Sequence, residues 1–132
     1  ESDHFVDIGP GPGVHGGTFF ADTANGWGYM TDRGAKRHGN TTDVPWGPVL
    51  TGSAHMMVAY DEATGSLWFG MNGAWFASGD PATGANPAYT GITGDVFPCE
   101  SNGTGNGSWS FRSNFGNTTF AYPPPVGFSG LQ

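Results

Sequence analysis

The sequence predicts an all-β fold, a single antiparallel two-sheet β-sandwich with no significant helix. Three observations carry this. Glycine supplies 24 of the 132 residues and proline 10; glycine costs backbone entropy in a helix and proline lacks the N–H that a helix needs. Aromatic residues make up 14%, with ten Phe and five Trp, which is more apolar ring surface than a disordered Gly-rich chain carries. Between residues 55 and 77, short apolar runs are separated by turn signals at strand-like spacing.

Taken in order, Phe5 to Ile8 is a short apolar run, stopped by Gly9-Pro10-Gly11-Pro12-Gly13, which reads as a loop. Residues 1–25 are therefore read as a Gly/Pro-rich N-terminal segment holding an edge strand, and residues 26–131 as the sandwich, in one domain overall. Thr18-Phe19-Phe20 fits either a brief strand or a loop packed on the core. Trp27 to Thr31 alternates large and small residues, and Asp32-Arg33-Gly34 turns the chain towards Lys36-Arg37-His38. His55 to Tyr60 reads as a central strand, because its apolar run is nearly continuous. Asp61 to Gly65 is a turn, with Gly65 suited to positive φ. Ser66 to Phe69 returns, Asn72-Gly73 is a two-residue hairpin signal, and Ala74 to Ala77 pairs back. A three-stranded meander follows. Asp95 to Glu100 is a further strand, Asn102 to Gly107 a polar turn, and Ser108 to Phe115 alternates Trp109 and Phe111. The tail from Phe120 to Phe128 is extended, since consecutive prolines prefer polyproline II.

The formal net charge is −7, from eleven acids against four Lys and Arg. Nucleic-acid binding needs a basic face that displaces counterions, so that partner is excluded, and attraction to an anionic membrane falls with it. No apolar run approaches the roughly 18 residues of a membrane span. The opening Glu1-Ser2-Asp3-His4 has no signal-peptide form, and a start without Met fits a processed product or a piece of something longer. Cys99 is the only cysteine; after Val96-Phe97-Pro98 it reads as a buried, inert thiol in a core strand. His4, His15, His38 and His55 show no short ligand spacing, and neither metal nor cofactor is expected.

The run Val58-Ala59-Tyr60-Asp61-Glu62-Ala63-Thr64-Gly65-Ser66-Leu67-Trp68-Phe69-Gly70-Met71-Asn72-Gly73 resembles the central hairpin of SPRY domains. Three further blocks follow the same family pattern in order: Trp27-Gly28-Tyr29 with Gly34 and Lys36; Tyr89-Thr90-Gly91-Ile92 with Val96-Phe97-Pro98; and Asn114-Phe115-Gly116 leading through Tyr122-Pro123-Pro124 to Gly127-Phe128. The resemblance covers residues 26–131 and is greatest to the short SPRY domains of bacteria and bacteriophages. The family's opening Trp-Tyr-Trp-Glu-like strand has no match in residues 1–25. Its absence would leave an open sheet edge that favours pairing with another chain. The resemblance implies a concanavalin-like sandwich and a non-enzymatic binding role exercised through loops.

A glycosidase needs two carboxylates facing one cleft; Asp61 and Glu62 are adjacent and read as turn residues, while Asp80, Asp95 and Glu100 have no partner visible in sequence. Four Asn-x-Ser/Thr sequons, at Asn40, Asn102, Asn106 and Asn117, fit chance in so Asn- and Thr-rich a chain. Arg33, Lys36 and Arg37 are three of the four basic residues, and with Asp32, Trp46 and Trp75 they form the predicted binding set, because Arg and Trp are typical interface anchors. Against this stands the reading of a solvated basic turn with both Trp used in packing. The expected partner is a virion subunit, a host-surface protein or a cell-surface glycan, at a virion or extracellular surface. A purely structural subunit, locked by a sheet edge and the Pro-rich tail, is the alternative; a lectin-like polysaccharide hydrolase ranks last.

Overall fold

A computed structural model describes residues 4–9, 20–39, 41–102 and 112–131, excepting the side chains of 4–9 and 101–102. The expectations for the loop at 10–13, for Thr18 and Phe19, for His15, Asn40 and Asn106, and for the alternation at Trp109 and Phe111 lie outside the described residues. Two antiparallel sheets make up the fold. The first has five strands in the order β4-β3-β2-β1-β8, where β1 is His4–Gly9, β2 Trp27–Met30, β3 Ala35–His38, β4 Val44–Pro45 and β8 Phe97–Asn102. The second has three, β5 (Met56–Asp61), β6 (Ser66–Met71) and β7 (Ala74–Trp75), in sequence order. Short 3₁₀ turns at Phe20–Asp22 and Phe76–Ser78 are the helical elements among the described residues. This is the all-β, two-sheet sandwich that the glycine and aromatic content predicts.

Side chains alternate across each strand, and the alternation places the core. On β6, Leu67 and Phe69 face the first sheet, while Trp68 and Gly70 face away. On β2 it is Tyr29 that faces inward, and its ring lies 5.8 Å from that of Phe69 and 4.7 Å from that of Phe76. Ala88 and Ile92, both buried, close this cluster from the loop after β7. The outward faces are covered too. The Phe20–Asp22 turn packs on β1, β2 and β3, over the buried pair Met30 and Ala35. On the other sheet, the Trp68 indole N–H donates to the Ala85 carbonyl at 2.8 Å, and the Phe128 ring meets that indole edge-on.

The predicted meander is present with its turn chemistry. Asn72 and Gly73 both adopt positive φ, 51° and 87°, between the paired residues Met71 and Ala74. In the β5–β6 turn, the Asp61 carboxylate accepts the Ala63 N–H at 3.0 Å and the Thr64 hydroxyl at 2.7 Å, an arrangement that favours Asp at a turn start. Gly65 has φ 63°, and a Cβ there would sit 2.2 Å from the Ile92 carbonyl oxygen.

Five expectations are corrected. The N-terminal strand is no edge: β1 pairs with β2 on one side and β8 on the other, and the edges of that sheet among the described residues are β4 and β8. The run His55 to Tyr60 is not central; β6 is, and Val58 on β5 is 39% exposed. Partial cover on both faces of an edge strand produces the same continuous apolar run as full burial. The last strand begins at Phe97 and extends through Asn102, so Asn102 belongs to the strand, and the remainder of the expected turn, 103–107, lies outside the described residues. It is also no core strand. Phe97 is 49% exposed, and Cys99 is half-buried with its thiol donating to the Phe97 carbonyl. Its edge position explains why Pro98, which cannot donate to a ladder, is tolerated. Finally, His55 is exposed and precedes β5; its backbone pairs with Asn72 and its ring meets the edge of Tyr122.

Candidate functional site

The six residues of the predicted binding set go to three places. Asp32, Arg33 and Arg37 belong to an ion-pair network on the outward side of the five-stranded sheet. Arg33 reaches Asp32 at 3.1 Å and Asp43 at 3.0 Å. Arg37 reaches Asp22 at 2.6 Å and the other oxygen of Asp43 at 3.4 Å. Asp43 thus ties the β2–β3 hairpin to the approach of β4, and Asp22 ties β3 to the covering 3₁₀ turn. Both guanidinium groups are engaged within the chain.

Lys36, next in sequence to Arg37, points to the opposite face, between the sheets. Its ammonium donates to the Ala88 carbonyl at 2.6 Å, lies 3.6 Å from the centroid of the Trp46 ring and 5.2 Å from that of Tyr89. Burial holds its pKa below the ordinary lysine value, because desolvation disfavours the charged form. Trp46 is half-buried against the core cluster. Trp75 pairs with Gly70 on the outward face of the three-stranded sheet, so the two indoles do not form a common platform.

The open concavities lie elsewhere, at the end of the sandwich where the β5–β6 turn meets residues 91–95. Ile92 is buried and its N–H donates to the Gly65 carbonyl at 3.1 Å; the Tyr60 hydroxyl donates to the Ile92 carbonyl at 3.4 Å. These bonds hold the two loops as walls of a depression of about 340 Å³, lined by Tyr60, Glu62, Thr64, Gly65, Thr93 and Asp95 among others. A second depression, of about 210 Å³, shares Thr93, Gly94 and Asp95 and continues to Asn25, Trp27 and Val96. Trp27 is fixed there by stacking on His38, 5.0 Å between centroids and 7° from parallel, and His38 Nδ1 is 2.7 Å from the Gly26 carbonyl oxygen. Burial, and then the Glu62 and Asp61 carboxylates, raise the Tyr60 pKa, keeping that hydroxyl a neutral donor.

None of the six predicted residues lines this trough. Glu62 lies in the expected β5–β6 turn, whereas Asp95 stands two residues before β8 and outside the strand, and neither position reveals in sequence that the two acids share a groove. The usable signal was Tyr89-Thr90-Gly91-Ile92, an anchored apolar residue flanked by small polar ones. Among the described residues no three His, Cys, Asp or Glu gather as metal ligands, and no helix is long and apolar enough to cross a membrane. No protein-family model matches the chain, and no curated protein matches it.

Proposed function

We propose that the chain is a non-catalytic recognition module of SPRY type, carried on a phage virion or bacterial surface structure, which holds its partner through loops at the end of the sandwich. The observation that carries the reading is the trough formed by the 62–65 turn and the 91–95 loop, where exposed polar groups are held on a fixed frame. Loops held on a rigid scaffold are where recognition usually takes place. The four sequence blocks similar to SPRY domains support the same reading. The partner is a virion subunit, a host-surface protein or a cell-surface glycan.

The tail weighs against a purely structural subunit locked in place by its Pro-rich end. Phe128 packs on Trp68 and Tyr122 covers Gly73, so the tail is engaged with its own sheet. A hydrolase reading has one observation in its favour, the carboxylates of Glu62 and Asp95 on one trough. The test is binding of the fluorescently labelled chain to intact virions and host cells, with a polysaccharide panel run in parallel. Saturable binding without turnover is the expected result. Turnover that is lost on changing either acid would replace this reading with the hydrolase, and blank binding on every surface would remove it.

A further inference from the structure

We infer that the trough binds a short neutral saccharide, an assignment that rests on the recognition reading above and narrows its partner to a glycan. The two depressions adjoin at Thr93, Gly94 and Asp95, which line both, and the first, at about 340 Å³, is by itself in the size range of small-molecule sites. Its chemistry is that of a polyol receptor. Glu62 and Asp95 supply carboxylate acceptors, which make charge-assisted hydrogen bonds with hydroxyl donors. Thr93 and Asn25 offer both donors and acceptors. Tyr60 and Trp27, half-buried against the core cluster, supply the aromatic part of the lining, and Trp27 is held in place by His38 before any ligand arrives. At Gly91 and Gly94 nothing lies within 4 Å of where a Cβ would project. The backbone there is open to a ligand's close approach.

The same features argue against other occupants. No Lys or Arg lines the trough and the net charge is −7, so a phosphorylated or sialylated ligand is repelled. A protein partner needs a desolvated aromatic or aliphatic anchor site at its centre, whereas the shared part of this trough is Thr93-Gly94-Asp95.

An array of neutral, amino and anionic glycans, probed with the whole chain, tests the inference alongside the cell- and virion-binding assay. Expected are signals on neutral saccharides, weakened about tenfold or more by Asp95→Ala, which removes a charged acceptor. Thr93→Trp, which fills the trough without removing a core side chain, abolishes them. Val126→Ser, at a site 85% exposed and outside the trough, leaves them unchanged. Signals confined to anionic glycans, or neutral signals indifferent to Asp95→Ala and Thr93→Trp, overturn the assignment. A blank array with protease-sensitive binding to cells or virions also overturns it and leaves the recognition reading standing on a protein partner. If array, cells and virions are all blank, both readings fall.

Discussion

Lys36 separates two uses of a basic residue, and Lys36→Met tests which one holds. The substitution keeps an unbranched apolar stem and removes the ammonium. Lost are a charged hydrogen bond to the Ala88 carbonyl, about 1.5–3 kcal/mol, and the contact over Trp46, about 0.5–2 kcal/mol. Two terms offset the loss: the cost of burying the ammonium disappears, and a thioether against the ring returns about 0.3–1.5 kcal/mol. The expected balance is destabilisation by about 1–2 kcal/mol, a fall in Tm of roughly 3–8 °C for a domain of this size. The pH dependence has a definite sign. Burial lowers the folded-state pKa below the 10.5 of the free side chain, so between those values the unfolded chain binds more protons and the parent gains stability as pH rises. The Met variant has no such group, and the gap between the two widens towards that pH. Urea titrations followed by circular dichroism at pH 7 and at mildly alkaline pH measure both effects. A Lys36→Met protein that is fully stable yet loses partner binding would refute the inter-sheet role and restore the residue as a recognition anchor.

Other perturbations follow from the same structure. Tyr29→Phe should cost about 0.5–1.5 kcal/mol at neutral pH, by removing the hydroxyl that donates to the Pro48 carbonyl. Burial raises the Tyr29 pKa above its ordinary 10.0, so stability is held below that pH and lost above it at about 1.4 kcal/mol per pH unit; denaturant midpoints should fall less steeply with alkalinity in the Phe variant. Gly65→Ala should destabilise by roughly 2–4 kcal/mol in denaturant titrations, because a left-handed Ala is strained and its Cβ would strike Ile92. Phe128→Ala should cost about 1–3 kcal/mol, since the ring is half-buried, and should red-shift tryptophan emission as Trp68 loses its edge-on cover; unchanged emission and protease resistance would show that the tail does not seal this face.

What was legible in the sequence divides by the range of the interaction. The β5–β6–β7 meander is specified locally, by Asp61 capping its own turn and by Gly65 and Asn72-Gly73 supplying positive φ, so reading neighbours in order suffices. The position of β1 was not legible, because its partners are β2 and a strand that starts almost ninety residues later; nothing in Phe5 to Ile8 distinguishes an inner strand from an edge. Cys99 failed for a related reason: Val96-Phe97-Pro98 has core composition, yet the strand lies on the edge, where a proline and an exposed Phe are both permitted.

The six residues of the predicted binding set are dispersed for a reason that strand geometry supplies. Lys36 and Arg37 are adjacent, and adjacency was read as one basic cluster, but neighbours on a strand face opposite ways. The alternation sends Arg37 to Asp22 and Asp43 outside the sheet and Lys36 to Trp46 and Tyr89 between the sheets. In an acidic chain with four Lys and Arg, three of them, Arg33, Lys36 and Arg37, hold segments together, and none of these three lines the depressions at the sandwich end. That scarcity selects the trough: its walls meet only because Gly65 lets Ile92 approach within backbone contact. Glu62 and Asp95 become neighbours of one cavity through the backbone contact of a glycine and an isoleucine that line it with them.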